Sequence, residues 1–221
     1  EQYHDLLVTI GTGFFVLVWI LQIVAPGFET PLFLLWTAVF ATTGYIVYDA
    51  SKRIEPLAAY GSTALVLLAT ATAYQFDGVG LIVAYTLEVS IVAMAAYWLV
   101  RNAYIAQQLT WLLVGPVFLS LENIVSPAWA TGIWHGDFVS LLVLTLSFFS
   151  LAAVFHQLRT VENNPPARDH TLVLLGTGGA YATALVWLVS HALFLTSDIG
   201  TFMALSIYAI VGTVMYLAGV H

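Results

Sequence analysis

Eight uninterrupted apolar runs divide this chain, and all of its basic residues fall between them on one side. The runs are Leu7–Ala25, Pro31–Tyr48, Leu57–Tyr74, Val79–Val100, Ala103–Leu121, Phe138–Phe155, Leu172–Leu195 and Ile199–Val220. Each is close to the roughly 20 apolar residues that cross a bilayer's hydrocarbon core. A segment in lipid must satisfy its own backbone N–H and C=O groups, so runs this long and continuous are read as helices. Barrel strands would be about 10 residues long and would alternate in polarity. The expected fold class is all-α, a polytopic transmembrane helix bundle with one span per run.

Lys52 and Arg53 lie between runs two and three, Arg101 between four and five, and Arg159 and Arg168 between six and seven. Those loops share a face with both chain ends. The opposite loops carry Glu29, Asp77, Glu122, Asp137 and Asp198 and no base. Because Lys and Arg accumulate in cytoplasmic loops, both termini are expected in the cytoplasm, in a multi-pass protein of the cell membrane.

Composition agrees: 61% of residues are hydrophobic and 8% charged, against roughly 25% charged in a soluble domain. The net charge of -7 argues against nucleic acid, which needs a basic patch. The lipid bilayer is the expected partner, with other membrane subunits or a second copy against the apolar faces. The absence of cysteine removes disulfides, thiolate nucleophiles and thiolate metal sites. The acidic start, Glu1 to Asp5, lacks the positive n-region of a secretory signal, so the first run reads as a retained span. No Ser/Gly linker or composition shift divides residues 1–221, which read as one integral membrane helical domain. The start without Met and the stop at the end of the eighth run suggest a portion of a longer chain.

Within the spans, Pro116 is expected to kink the fifth or open its ladder. Trp129 and Trp134, in the connection from Glu122 to Asp137, read as interfacial anchors at headgroup level. A weak internal echo links runs one and seven: Gly11-Thr12-Gly13 and Gly176-Thr177-Gly178 are each followed by a Trp, at Trp19 and Trp187.

Glu88 is the leading candidate for chemistry. It lies near mid-membrane, roughly 16 Å from Asp77 and roughly 20 Å from Arg101 along a helix. A carboxyl there is costly and by default a functional-site candidate. Thr86 and Ser90 flank it, and the row Gly80, Ala84, Glu88, Val92, Ala96 is mostly small, the kind of stripe on which helices pack closely. Two roles are open, an ion or proton pathway and a protonated packing residue, because desolvation favours the neutral acid.

Histidine supplies a second constellation. His135 and His156 bracket run six, and His170 and His191 bracket run seven, each pair 21 residues apart. In an antiparallel hairpin His135 would meet His191 and His156 would meet His170, the layout of two bis-His haem sites. Twenty-one residues of helix span about 31 Å, so each haem would sit at an interface. His191 also shares a face with Gly176, Ala180, Ala184 and Trp187, which reads as a packing seam. A retinal Schiff base is excluded, since it needs a Lys inside a span and Lys52 is in a loop. No phosphate-binding loop, zinc helix or nucleophile elbow is present.

The segment "LIVAYTLEVSIVAMAAYWLVRN" (Leu81–Asn102) resembles the recurring Trp-Ala-Leu-Glu, apolar run, Arg segment of the membrane proteins of domain-of-unknown-function family 2339. Glu88 stands at the Glu position, Arg101 at the terminal base, and Tyr85 where Trp is usual. "MALSIYAIVGTVMYLAGV" (Met203–Val220) is similar to another recurrent helix of that family. The resemblance implies a long array of apolar helices and no established activity.

On the sequence alone a transport or envelope-associated bundle ranks first. A haem-carrying electron-transfer subunit or intramembrane enzyme, and a structural scaffold subunit of a membrane complex, are the alternatives.

Overall fold

A computed structural model describes residues 2–25, 27–100, 102–162, 166–193, 202–203, 205–210 and 212–213. Side chains are described for fewer of these, those of 2–6 and 158–169 being left aside. The helices are α1 (Gln2–Ile23), α2 (Glu29–Ser51), α3 (Ile54–Gln75), α4 (Gly78–Val100), α5 (Ala103–Thr110), α6 (Val114–Ile124), α7 (Gly136–Glu162) and α8 (Pro166–Leu193). Short 3₁₀ turns lie at Trp111–Leu113 and Pro127–Ala130. Among the described residues no strand occurs.

Six stretches are long and apolar enough to cross a membrane: Glu29–Ser51, Ile54–Gln75, Gly78–Val100, Ala103–Ile124, Gly136–Gln157 and His170–Leu193. They coincide with runs two to seven of the sequence. The first run forms a helix whose apolar part is shorter, Leu7–Ile23. Of the eighth run, Ile199–Val220, the described residues 202–203, 205–210 and 212–213 are helical, and the rest lies outside the described residues.

The ends of the helices follow from local chemistry. The α2 helix stops at Lys52, whose φ of 54° is left-handed and whose N–H returns to the Tyr48 carbonyl. A non-glycine residue there is uncommon, and one residue in that conformation is enough to end a helix. The Lys52 ammonium bonds Asp49, which holds it above the ordinary lysine range, but both groups are exposed. The α5 helix starts at Asn102, whose side-chain oxygen accepts from the Tyr104 and Ile105 N–H groups at 3.0 and 3.4 Å, a helix N-cap. Pro116 has the expected effect: it brings no N–H to the Leu112 carbonyl, and the ladder loosens into the 3₁₀ turn Trp111–Leu113 that separates α5 from α6.

Contacts divide the chain into two compact units, Glu1–Asp77 and Gly78–His221. In the first, α2 and α3 form an antiparallel hairpin joined by Lys52 and Arg53, and α1 packs on it. Val16, Ile20, Phe33, Phe40, Leu67 and Ala71 form its core. Close approach depends on two glycines. A Cβ on Gly13 would overlap Thr63 Cγ2, and one on Gly44 would lie 2.8 Å from Tyr60 Cβ.

The second unit is built around α7, half of whose span is buried, more than any other. The α4 and α7 helices start side by side, where Gly136 leaves room for Val79, and α8 returns along α7, where Gly178 meets Phe148. Leu141, Leu144, Leu151 and Phe155 of α7 are wholly buried against Ile82, Leu113, Leu174 and Leu185. Outward faces in both units carry large apolar side chains, among them Phe14, Phe15, Trp98 and Phe118. In water such surfaces would associate, and in a bilayer they meet lipid.

Candidate functional site

The polar groups of the second unit are where chemistry would have to reside, because they are the exceptions in an apolar interior. Burying one costs free energy unless it is hydrogen-bonded.

On α4 the buried stripe is Ile82, Thr86, Val89 and Ala93. Glu88 is half-buried and lies about a third of a turn round the helix from that stripe. The flanking hydroxyls are engaged by the helix itself: Thr86 Oγ1 donates to the Ile82 carbonyl and Ser90 Oγ to the Thr86 carbonyl, each at 2.7 Å. Along the Glu88 row Ala84, Val92 and Ala96 are half-buried and Gly80 is exposed.

Beside that row, α4 and α7 leave a lateral groove of about 920 Å³. Leu87, Ile91, Met94, Trp98, Leu146 and Val154 line it, with Ser90, Ser147 and Ser150 as its polar residues.

The four histidines have different surroundings. His170 is half-buried between the rings of Trp111 and Phe155, at 5.7 and 5.9 Å, and its Nε2 lies 2.6 Å from Thr110 Oγ1. His156 is exposed, one residue beyond Phe155 and so on another side of α7. At the other end of the unit, His135 packs edge-on against Trp129 at 4.4 Å. Its Nδ1 is 3.6 Å from Asp137 Oδ2, beyond hydrogen-bond reach. Both ring nitrogens are covered and have no hydrogen-bond partner among the described residues. His191 is exposed and stacked on Trp187, with centroids 5.8 Å apart. Each expected pair therefore combines one half-buried ring with one exposed ring. Among the described residues no group of three or more His, Asp or Glu side chains could hold a metal ion.

Two expectations are corrected. The row Gly176, Ala180, Ala184, Trp187, His191 is not the seam of α8 in this unit: Gly176, Ala180, Trp187 and His191 are exposed. The buried stripe is Leu174, Gly178, Tyr181, Leu185 and Leu188. Apolar residues lie all round this helix, so its composition does not mark which stripe meets α7. Trp129 is not a headgroup anchor either, because it is buried and its indole N–H donates to the Asn123 carbonyl at 2.8 Å. That carbonyl is in the last turn of α6, where helix partners run out, and the indole supplies the donor. Trp134 alone is exposed, at 88%.

The structure also gathers polar residues that sequence reasoning passed over. Tyr181 OH lies 2.7 Å from Ser120 Oγ. Asn123 Nδ2 donates to Ser140 Oγ at 2.7 Å, and Ser140 Oγ donates to the Asp137 carbonyl at 2.8 Å. Gln107 is buried, and its Nε2 has no hydrogen-bond partner among the described residues. For Gln107, Ser120, Ser140 and Tyr181 the signal was polarity inside apolar runs, which the scattered Ser and Thr of other spans obscured; Asn123 lies in the connection after run five.

No family model, curated protein or solved structure matches this chain.

Proposed function

We propose that this is a multi-pass cell-membrane protein with eight spans and both ends cytoplasmic, a transport or envelope-associated bundle whose intramembrane site is Glu88. One observation carries the reading: a carboxyl sits half-buried in the middle of α4, ten residues from Gly78 and twelve from Val100. That places it about 15 Å from the nearer end of the helix, a depth at which an ionisable group is costly and marks a site by default. The half-buried Ala84, Val92 and Ala96 support a carboxyl that faces protein. Glu88→Gln keeps size and hydrogen bonding and removes titration. In reconstituted vesicles it is expected to abolish pH-dependent proton or cation flux while the fold is retained. Parent-like flux at every pH would refute the pathway reading.

A scaffold role is the second reading, favoured by the apolar groove between the middle parts of α4 and α7. Cysteines placed singly at Ile91 or Leu146 would then cross-link to a neighbouring membrane subunit or second copy in native membranes, and a cysteine at exposed Phe118 would not. Membership of domain-of-unknown-function family 2339 is part of the first reading, and it rests on the segments Leu81–Asn102 and Met203–Val220.

A further inference from the structure

Thr110 Oγ1 has one proton and two close neighbours, the Gln107 carbonyl oxygen at 2.7 Å and His170 Nε2 at 2.6 Å. A carbonyl oxygen only accepts. Were the hydroxyl proton given to His170, two acceptor oxygens would face each other at 2.7 Å with no hydrogen between them. The hydroxyl must therefore donate to Gln107 and accept from the ring. We infer that Thr110 fixes His170 as its Nε2–H tautomer, which makes Nδ1 the ring's one acceptor and removes Nε2 from metal ligation.

The surroundings hold this arrangement. Thr110 is buried, 3% exposed, so water does not compete for its oxygen. Trp111 and Phe155 meet the imidazole edge-on and limit its rotation. In the neutral ring the second nitrogen keeps its lone pair, and which nitrogen carries the proton is set by the bond the other makes. A metal at Nε2 would have to displace that proton and break the Thr110 bond, so haem ligation by His170 through Nε2 conflicts with this hydrogen bond. What the ring can receive is a hydrogen-bond donor, a hydroxyl or an ammonium, at Nδ1. Thr110 is then a positioning residue for His170, independent of the role proposed for Glu88.

Long-range proton–nitrogen correlation spectra of ¹⁵N-histidine-labelled full chain in lipid nanodiscs test this, recorded at alkaline pH where imidazoles are neutral. His170→Gln identifies the signals by their loss. The parent should show a protonated, slowly exchanging Nε2 and an unprotonated Nδ1 at His170. Thr110→Val, close in shape but without the hydroxyl, should lose the slow exchange and mix the tautomers, and Thr110→Ser should restore the parent pattern. An Nδ1–H form in the parent would overturn the inference, and so would a Val variant with the parent pattern. If the Val variant does not fold, the parent's tautomer and its exchange decide the matter.

Discussion

The Tyr181 hydroxyl lies 2.7 Å from Ser120 Oγ and 3.2 Å from the Val117 carbonyl, so one phenol ties α8 to the turn of α6 that follows Pro116. Ser120 Oγ donates to the Val117 carbonyl at 2.8 Å, which makes Tyr181 the donor in its contact with Ser120. All three groups lie in an apolar interior. Tyr181→Phe should cost about 1–2 kcal/mol, since it removes a buried bond and leaves no charged group behind. Ser120→Ala should cost less, because the phenol keeps the Val117 carbonyl. The double variant should be little worse than Tyr181→Phe alone. Reversible unfolding in mixed micelles measures all three, and fully additive losses would contradict the shared bond.

Gly-Thr-Gly occurs twice, and the two copies behave alike within their own units. Thr12 and Thr177 each donate to the carbonyl four residues back. Gly11 and Gly176 have open space where a Cβ would go, while Gly13 meets Thr63 and Gly178 meets Phe148. Gly13→Ala and Gly178→Ala should each destabilise by about 1–3 kcal/mol through overpacking. Gly11→Ala and Gly176→Ala should be neutral or stabilising by up to about 1 kcal/mol, as alanine is the better helix former. Thermal unfolding of the four variants compares them directly.

Trp129→Phe should cost about 1–3 kcal/mol, because the Asn123 carbonyl loses its donor in a buried setting. Trp134→Phe, at an exposed ring, should stay within about 0.5 kcal/mol of the parent. Indole fluorescence adds a second readout: a polar quencher confined to water should reach Trp134 and spare Trp129. Equal quenching of the two would contradict the buried placement.

The cysteine-free chain makes the proposed topology measurable. A cysteine at exposed Asp77 or Trp134 should react in intact cells with a membrane-impermeant thiol reagent, and one at exposed Arg53 should react only after permeabilisation. Equal labelling at Arg53 and Asp77 in intact cells would overturn the orientation.

Much of the architecture was legible in the sequence, because lipid leaves a backbone so few options. A continuous apolar run about 20 residues long has to be helical in lipid, and runs two to seven are helical over that length, run five through α5, a 3₁₀ turn and α6. Local chemistry was legible too: Pro116 cannot donate to the Leu112 carbonyl in any tertiary setting. Which face of each helix meets its neighbours was decided by tertiary structure alone. A soluble helix announces its buried face through polarity, but α4 and α8 are apolar on both sides, since one side meets protein and the other was built to meet lipid. Hence the stripe through Ala180, Ala184 and Trp187 looked as good a seam as the one through Gly178, Tyr181 and Leu185, and only packing against Phe148 separates them. Trp129 and Trp134 likewise have equal claims as anchors on paper. What distinguishes them is an α6 carbonyl, at Asn123, that the folded turn brings within reach of one indole and not of the other.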